Sequence, residues 1–174
     1  MTMSGRPRLA VLAGVAGLLL GIIITLAFQG VEPAAQSNQR RVIRPAQAPN
    51  TGLPFSPGIL VGNTLYVAGH LGRDPVTSQL VSGGIEAETR QSLANCLEVL
   101  KTAGMDFKAV TSVTAYITSF DDFAKFNAIY SESFPTDPPA RATVQVAALN
   151  AGARIELQMI AVRPSSGHAP TITR

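Results

Sequence analysis

The chain has 174 residues, a length that fits one domain, and its 46% hydrophobic content is ordinary for a globular protein. A single cysteine excludes an internal disulfide and a cysteine-based metal site. The two histidines, His70 and His168, are far apart in sequence and belong to no ligand cluster, so we expect no metal and no cofactor.

The basic excess of the chain lies at its ends. Residues 1–44 contain five arginines and one acid, whereas residues 45–163 contain eight Lys/Arg and ten Asp/Glu. A nucleic-acid-binding domain usually concentrates positive charge on its folded face. The slightly acidic folded part therefore argues against nucleic acid as a partner.

An uncharged apolar run occupies residues 9–28. Its length is about the 20 residues that a helix needs to cross a bilayer. A cleavable signal peptide usually has an apolar core of about 7–15 residues followed by a small-x-small site. The best such site, Thr25-Leu26-Ala27, lies inside the run. The pattern favours a retained membrane anchor within segment 1–28 over a removed signal sequence.

Basic residues flank this run on both sides. Arg6 and Arg8 precede it and favour a cytoplasmic N-terminus. Arg40, Arg41 and Arg44 follow at a greater distance and argue weakly for the opposite orientation. We therefore predict a single-pass membrane protein whose folded part lies outside the cytoplasm, for example in the periplasm.

Composition divides the rest of the chain into three parts. Residues 29–44 are interpreted as a linker, because this region is rich in Ala, Gln, Pro and Asn, and a short strand at Arg41–Arg44 would fit its end. Residues 45–163 are predicted to form one folded domain. Residues 164–174 are interpreted as a loose C-terminal tail.

The first half of the folded part predicts a hairpin, a helix and a strand. Residues 58–69 contain two short apolar runs around a Gly-Asn turn, a hairpin signal. Residues 84–104 have apolar residues at helical spacing, and Cys96 falls on the apolar face, where core packing is expected. The β-branched run at 109–119 predicts a strand.

The second half predicts a helix and two more strands. Ser119 is expected to cap a helix over residues 120–134, with Asp122 as the acid of a capping box. Residues 134–162 predict two strands joined by Asn-Ala-Gly-Ala as a second hairpin. The chain places Arg141 at the start of the first of these strands and Glu156 inside the second.

The element order β-β-α-β-α-β-β predicts an α+β fold, in which a mixed sheet carries two helices on one face. The last two strands have apolar residues on both faces. A single copy of the chain has no further layer to cover the second face of the sheet. We therefore expect self-association through this bare sheet face.

Several motifs in residues 41–163 form a specific combination. The first two are the stretches LPFSPGILVGNTLYVAGHLGRDPVT and QSLANCLEVLKTAG. An F-x-x-x-N-x-x-Y helix comes next, and a Pro-x-Arg strand and an Ile-Glu strand follow it at a set spacing. This combination resembles the Rid family, the reactive intermediate deaminases also called the YjgF family. The resemblance implies a chorismate-mutase-like fold, a homotrimer with clefts between subunits, and hydrolysis of small enamines and imines, such as 2-aminoacrylate, to 2-keto acids and ammonia.

The resemblance also implies a site. Arg141 matches the family's arginine for the substrate carboxylate, a role that suits its planar fork of donors. Glu156 matches the acid that orients or activates the attacking water. Asn127 matches the asparagine of the helix motif, and Gly69 and Thr143 match positions whose backbone contacts the substrate.

Four positions depart from the family pattern. Phe55 and Ala68 replace a tyrosine and a serine, so two hydroxyls of the substrate site are missing. Thr143 replaces a cysteine, and His70 replaces a glutamine. Carboxylate binding is expected to tolerate these changes better than hydrolysis, because a lost hydrogen bond to the transition state costs on the order of tenfold to thousandfold in rate.

Structural roles compete with the functional ones. Arg141 could be a surface arginine beside a turn, and Glu156 could form an ion pair with Arg141 or Arg154. Asn127 could brace a loop, and Phe55 could serve packing alone. Two functions follow: a membrane-anchored deaminase of small 2-imino acids, or a catalytically weak module that binds a small carboxylate metabolite or a protein partner in the same cleft.

Overall fold

The computed structural model describes residues 39–47 and 52–164. Its strands and helices are, in chain order, β1 (Arg41–Ile43), β2 (Gly58–Val61), β3 (Thr64–Leu71), α1 (Gly84–Thr102), β4 (Val110–Ile117), α2 (Phe123–Ser133), β5 (Ala140–Gln145) and β6 (Ile155–Val162). The predicted element order is confirmed, and β1 lies near the end of the segment interpreted as a linker.

The predicted anchor, residues 9–28, lies outside the described residues, as do residues 29–38 of the linker and 165–174 of the tail. In the part of the chain that the structure describes, no helix combines the length and the hydropathy of a membrane span.

The six strands form one mixed sheet in the order β1-β2-β3-β6-β4-β5. All neighbouring strands are antiparallel except β4 and β5, which are parallel. Parallel neighbours need a crossover connection, and α2 supplies it between β4 and β5. The predicted mixed sheet is therefore confirmed.

The predicted hairpin between the last two strands is wrong. β5 and β6 do not pair with each other, because β4 lies between them and hydrogen-bonds to both. The connecting residues 146–154 contain a 3-10 turn at Asn150–Gly152 and lead the chain past the end of β4. β4 thus lies between the strand that carries Arg141 and the strand that carries Glu156.

Both helices pack on one face of the sheet, as predicted. Alternate residues of β4 and β6 point into this layer, and Val113, Ala115, Ile155 and Leu157 are at most 1% exposed. Burying a side chain of this size contributes about 1.5–3 kcal/mol. Cys96 of α1 is fully buried in the same layer, which confirms its core role.

The start of α2 differs from the expectation. Ser119 accepts a hydrogen bond from Asp121 N at 3.1 Å and caps a 3-10 turn, after which the helix begins at Phe123. The Asp122 carboxylate forms no capping box, because it pairs with Arg154 Nη1 at 3.1 Å. The 3-10 turn therefore replaces the predicted first turn of the helix.

The second face of the sheet carries a row of apolar side chains. The strand register aligns Val42, Ile59, Tyr66 and Ile160 across β1, β2, β3 and β6. Val42 is 44% exposed and Tyr66 is 50% exposed. We call this surface the bare sheet face. Large apolar side chains in such a row are typical of a surface that another protein chain covers.

Candidate functional site

Arg141 lies in β5 with its side chain on the helix side of the sheet. Its register partner in β4 is Val113, which is buried beneath the helices. Arg141 Nη2 donates a hydrogen bond to Asn127 Oδ1 in α2 at 2.7 Å. Asn127 therefore braces the arginine, a contact that the sequence did not predict. Thr143 follows two residues later on the same side of β5.

Aromatic rings of α2 line the other side of the Arg141 side chain. The guanidinium carbon is 4.5 Å from the ring centroid of Tyr130, 5.0 Å from that of Phe126 and 6.0 Å from that of Phe123. A cation over a ring face at these distances gains about 0.5–2 kcal/mol, depending on its exposure to water. These contacts hold the guanidinium without neutralising its positive charge.

No carboxylate neutralises Arg141 within residues 39–47 and 52–164, where the salt bridges are Arg90–Glu132, Lys101–Glu98 and Arg154–Asp122. Arg141 is half-buried, so it is not an ordinary surface arginine. A half-buried cation without an acidic partner can bind a small anion. A planar carboxylate can accept hydrogen bonds from two of the guanidinium N–H donors.

Glu156 lies on the opposite side of the sheet. Its neighbours in β6, Ile155 and Leu157, are fully buried under the helices, so alternation directs the Glu156 side chain to the bare sheet face. The carboxyl group is half-buried, and loss of hydration raises the pKa of Glu156 above its ordinary value. A raised pKa suits a group that exchanges protons near neutral pH.

Gly69 makes room for the Glu156 carboxylate. β3 contains a bulge between Val67 and His70, and a methyl group built on Gly69 would overlap Glu156 Oε1. A glycine is therefore required at this position if the carboxylate is to keep its place. Ala68 precedes it, half-buried, and alternation along the strand points Ala68 to the same face.

The ion-pair alternatives for Glu156 are absent from the described part of the chain. Arg154 pairs with Asp122, and Arg141 donates to Asn127. The expected placement of Arg141 and Glu156 on adjoining strands is also wrong, because β4 separates them. The structure thus groups Arg141, Asn127 and Thr143 on the helix side, and Glu156, Gly69 and Ala68 on the bare sheet face.

Phe55 and His70 lie outside both groups. Phe55 belongs to the loop before β2 and is 55% exposed, more than a core residue would be. His70 lies in β3, and its Nε2 is buried without a hydrogen-bond partner among the described residues. Burial lowers the pKa of His70, although the backbone carbonyl of Pro57 opposes the shift. Burial therefore favours the neutral form of this half-buried imidazole.

Glu88 of α1 is a buried acid that the sequence reasoning missed. It is 5% exposed, and its Oε2 accepts a hydrogen bond from Arg154 N at 2.7 Å. This bond fixes the chain directly before β6, the strand that carries Glu156. A signal was present, because Glu88 is three residues after Ile85, on the apolar face of the helix.

Comparison with protein-family models gives one match. Residues 45–163 match the model described as Endoribonuclease L-PSP. The matched segment spans all of the sheet except β1, and it includes both groups of site residues.

Individual relatives agree with this match. Over 124 residues the chain is 45% identical to the human protein named 2-iminobutanoate/2-iminopropanoate deaminase, covering 71% of this chain and 90% of that one. It is 37% identical to the chloroplastic Reactive Intermediate Deaminase A of Arabidopsis thaliana, covering 77% of this chain and 72% of the relative.

Two solved structures have the same fold. RidA from the Antarctic bacterium Psychrobacter sp. PAMC 21119 superposes with a TM-score of 0.67 at 33% identity, over 71% of this chain and 99% of that structure. TdcF of E. coli, solved with bound serine, gives a TM-score of 0.68 at 28% identity, over 71% of this chain and 99% of that structure.

Proposed function

Because this chain belongs to the endoribonuclease L-PSP family, the Rid family of the resemblance above, we propose that it hydrolyses small 2-imino acids to 2-keto acids and ammonia. The observation that carries the proposal is the half-buried Arg141 guanidinium, braced by Asn127 and without an acidic partner in the described residues. This group suits the carboxylate that every 2-imino acid carries. The name of the human relative supports the same substrate class.

The proposed reaction is addition of water to a carbon–nitrogen double bond. Arg141 holds the substrate carboxylate and so fixes the adjacent imine carbon. Glu156 takes a proton from the attacking water, which gives a tetrahedral amino alcohol, and returns the proton to nitrogen. Glu156 then takes the hydroxyl proton and delivers it to the amino group, so that the C–N bond breaks and leaves the keto acid and ammonia. An enamine such as 2-aminoacrylate enters this sequence after tautomerising to its imine.

We infer that the working site lies between two copies of the chain. Arg141 and Glu156 lie on opposite faces of one sheet, so one copy does not present both to the same small molecule. A second copy seated on the bare sheet face could bring its own Arg141 to Glu156. The implied homotrimer has such clefts between subunits, and it would also cover the exposed apolar row.

The full-length chain is therefore expected to have the protein mass of three copies by light scattering at micromolar concentration. Tyr66→Glu places a charge in the centre of the bare sheet face and should shift the mass toward one copy, because an unpaired charge is costly to bury. Val76→Glu is the matched control, since Val76 is 86% exposed in a loop. A monomeric wild type, or an unchanged mass for Tyr66→Glu, would contradict the inference.

A catalytically weak binding module is the second candidate. Phe55 and Ala68 favour it, because neither provides the hydroxyl that the family's deaminases carry at these positions. Keto acid release from 2-aminoacrylate generated in situ separates the two functions. Release well above the uncatalysed rate supports the deaminase. Tight binding of a keto acid without such release supports the binding module.

Ribonuclease activity, which the description of the family names, is not proposed. RNA binding depends on cationic groups that neutralise phosphates. Residues 45–163 contain more acidic than basic side chains, so this folded part has no charge excess suited to RNA.

We also propose that residues 9–28 anchor the chain in a membrane with the folded part outside the cytoplasm. The support is the length of the uncharged run, together with Arg6 and Arg8 before it. The chain should then remain in the membrane fraction through alkaline carbonate washing. Leu19→Arg should release part of it, because a central arginine costs about 2.5–3.5 kcal/mol of insertion free energy.

Two results would contradict the anchor. A mature protein lacking about 30 residues would show that signal peptidase removes the segment. Activity of a reporter that works only in the cytoplasm, fused after Arg174, would show that the folded part lies in the cytoplasm.

A further inference from the structure

Tyr130 lies closest to the Arg141 guanidinium among the three rings that flank it. The guanidinium carbon is 4.5 Å from the Tyr130 ring centroid. Tyr130 itself is 5% exposed, and its hydroxyl is buried without a hydrogen-bond partner in the described residues. A buried hydroxyl without a partner lowers the stability of the fold. The ring, rather than the hydroxyl, is therefore the part of Tyr130 that the fold uses.

Neighbouring aromatic side chains hold this ring in place. Its centroid is 5.5 Å from that of Phe126 and 4.6 Å from that of Phe134, and Phe134 in turn packs on Phe107 at 5.0 Å. Aromatic pairs at these distances stabilise the fold beyond the effect of the area that they bury. The surface beneath Arg141 is thus a rigid one.

The guanidinium meets two different constraints. The bond from Nη2 to Asn127 Oδ1 fixes one direction within the plane of the guanidinium. Contact with the Tyr130 ring restricts where that plane can lie. Within the described residues, the donors on Nε and Nη1 have no acceptor. Together the two contacts hold the fork with its remaining donors available to a ligand, and they reduce the side-chain entropy that binding would otherwise cost.

We propose that Tyr130 is a positioning residue: its ring sets the orientation in which Arg141 receives the substrate carboxylate. The inference rests on the proposed function, and it gives a specific task to the tyrosine of the F-x-x-x-N-x-x-Y helix motif. Burial raises the pKa of Tyr130 to about 12, so the ring stays neutral at any pH used for the assay. Tyr130 acts on the substrate only through Arg141.

The test compares Tyr130→Phe, Tyr130→Leu and Phe134→Leu in the full-length chain, using calorimetric titration with 2-ketobutyrate and steady-state kinetics. Tyr130→Phe keeps the ring, so its Kd should stay within about twofold of wild type, while Tm stays equal or rises. Tyr130→Leu should weaken binding by about five- to tenfold, through loss of the cation–π contact. It should raise KM by a similar factor and change kcat much less.

Phe134→Leu is the matched control, because Phe134 packs on Tyr130 but is not among the rings that flank Arg141. It should lower Tm and change Kd much less than Tyr130→Leu does, because the Tyr130 ring and its contact with Phe126 remain. In an Arg141→Lys background, Tyr130→Leu should change Kd by less than about twofold, because the contact acts through the guanidinium.

Three results would overturn the inference while leaving the proposed function intact: wild-type affinity in Tyr130→Leu, equal weakening by Phe134→Leu, or loss of binding in Tyr130→Phe. Absence of 2-ketobutyrate binding and of keto acid release in the wild type would overturn the proposed function, and the inference with it.

Discussion

Glu156→Gln is expected to lower the rate of keto acid release by about a hundredfold or more, because the amide cannot take a proton from the attacking water. Carboxylate affinity should stay nearly intact, since Arg141 and not Glu156 binds that group. It could rise slightly, because a like charge is removed. Keto acid release from 2-aminoacrylate and calorimetric titration with 2-ketobutyrate measure the two effects separately.

The pH profile supplies an internal control. Burial raises the pKa of Glu156, so the base form is lost at a higher pH than for an ordinary glutamate. The acid limb of the wild-type rate should reflect this raised pKa and disappear in Glu156→Gln.

Stability has the opposite pH dependence. The fold favours the neutral carboxyl, so the stability from Glu156 is fully present below its unfolded pKa and is lost as pH rises through the folded pKa. Glu156→Gln should therefore be no less stable than wild type at neutral pH. If Glu156 were a structural ion-pair partner, the substitution would instead lower Tm and weaken ligand binding together.

Arg141→Lys is expected to reduce affinity for pyruvate or 2-ketobutyrate by about 1.5–3 kcal/mol, the scale of a charged hydrogen bond. Lysine keeps the charge, but it lacks the planar fork that donates two hydrogen bonds to a carboxylate. The substitution also removes the contact of the guanidinium with the Tyr130 ring and its hydrogen bond to Asn127. Calorimetric titration of both proteins measures the loss.

Arg154→Lys is the matched control for this substitution. Arg154 is an arginine whose side chain is 53% exposed and pairs with Asp122, and lysine can keep this ion pair because the pair needs no planar fork. Its replacement should leave carboxylate affinity unchanged. Unchanged binding in Arg141→Lys would remove Arg141 from the site, and with it most of the functional argument.

The elements of the fold were predictable where the signal is local. The helical spacing of apolar residues indicates α1, and the β-branched run indicates β4. The pairing of β5 with β4 was not predictable in this way, because strand pairing depends on contacts between distant parts of the chain. The observed connection, residues 146–154, is longer than the Asn-Ala-Gly-Ala turn that the hairpin prediction assumed.

The identities of the site residues came from the family motifs, but their arrangement did not. Whether Arg141 and Glu156 share a face depends on the register of each strand with β4, and a shift of one residue reverses the face. The contacts of Arg141 with aromatic rings were also not predictable, because Phe126 and Tyr130 have the helical spacing of ordinary core residues. Only the fold shows that the same rings lie beside a cation.

Co-expression of Arg141→Lys and Glu156→Gln chains tests the shared site most directly. If Arg141 of one copy works with Glu156 of another, random mixing of equal amounts leaves about a quarter of the sites with both native residues, by the symmetry of a closed ring. At substrate concentrations well below KM, the mixed protein should therefore recover about a quarter of wild-type keto acid release, while each variant alone releases keto acid at least about tenfold more slowly than wild type. Mixed protein no more active than the two separate variants would contradict the account, because both residues would then have to come from one copy.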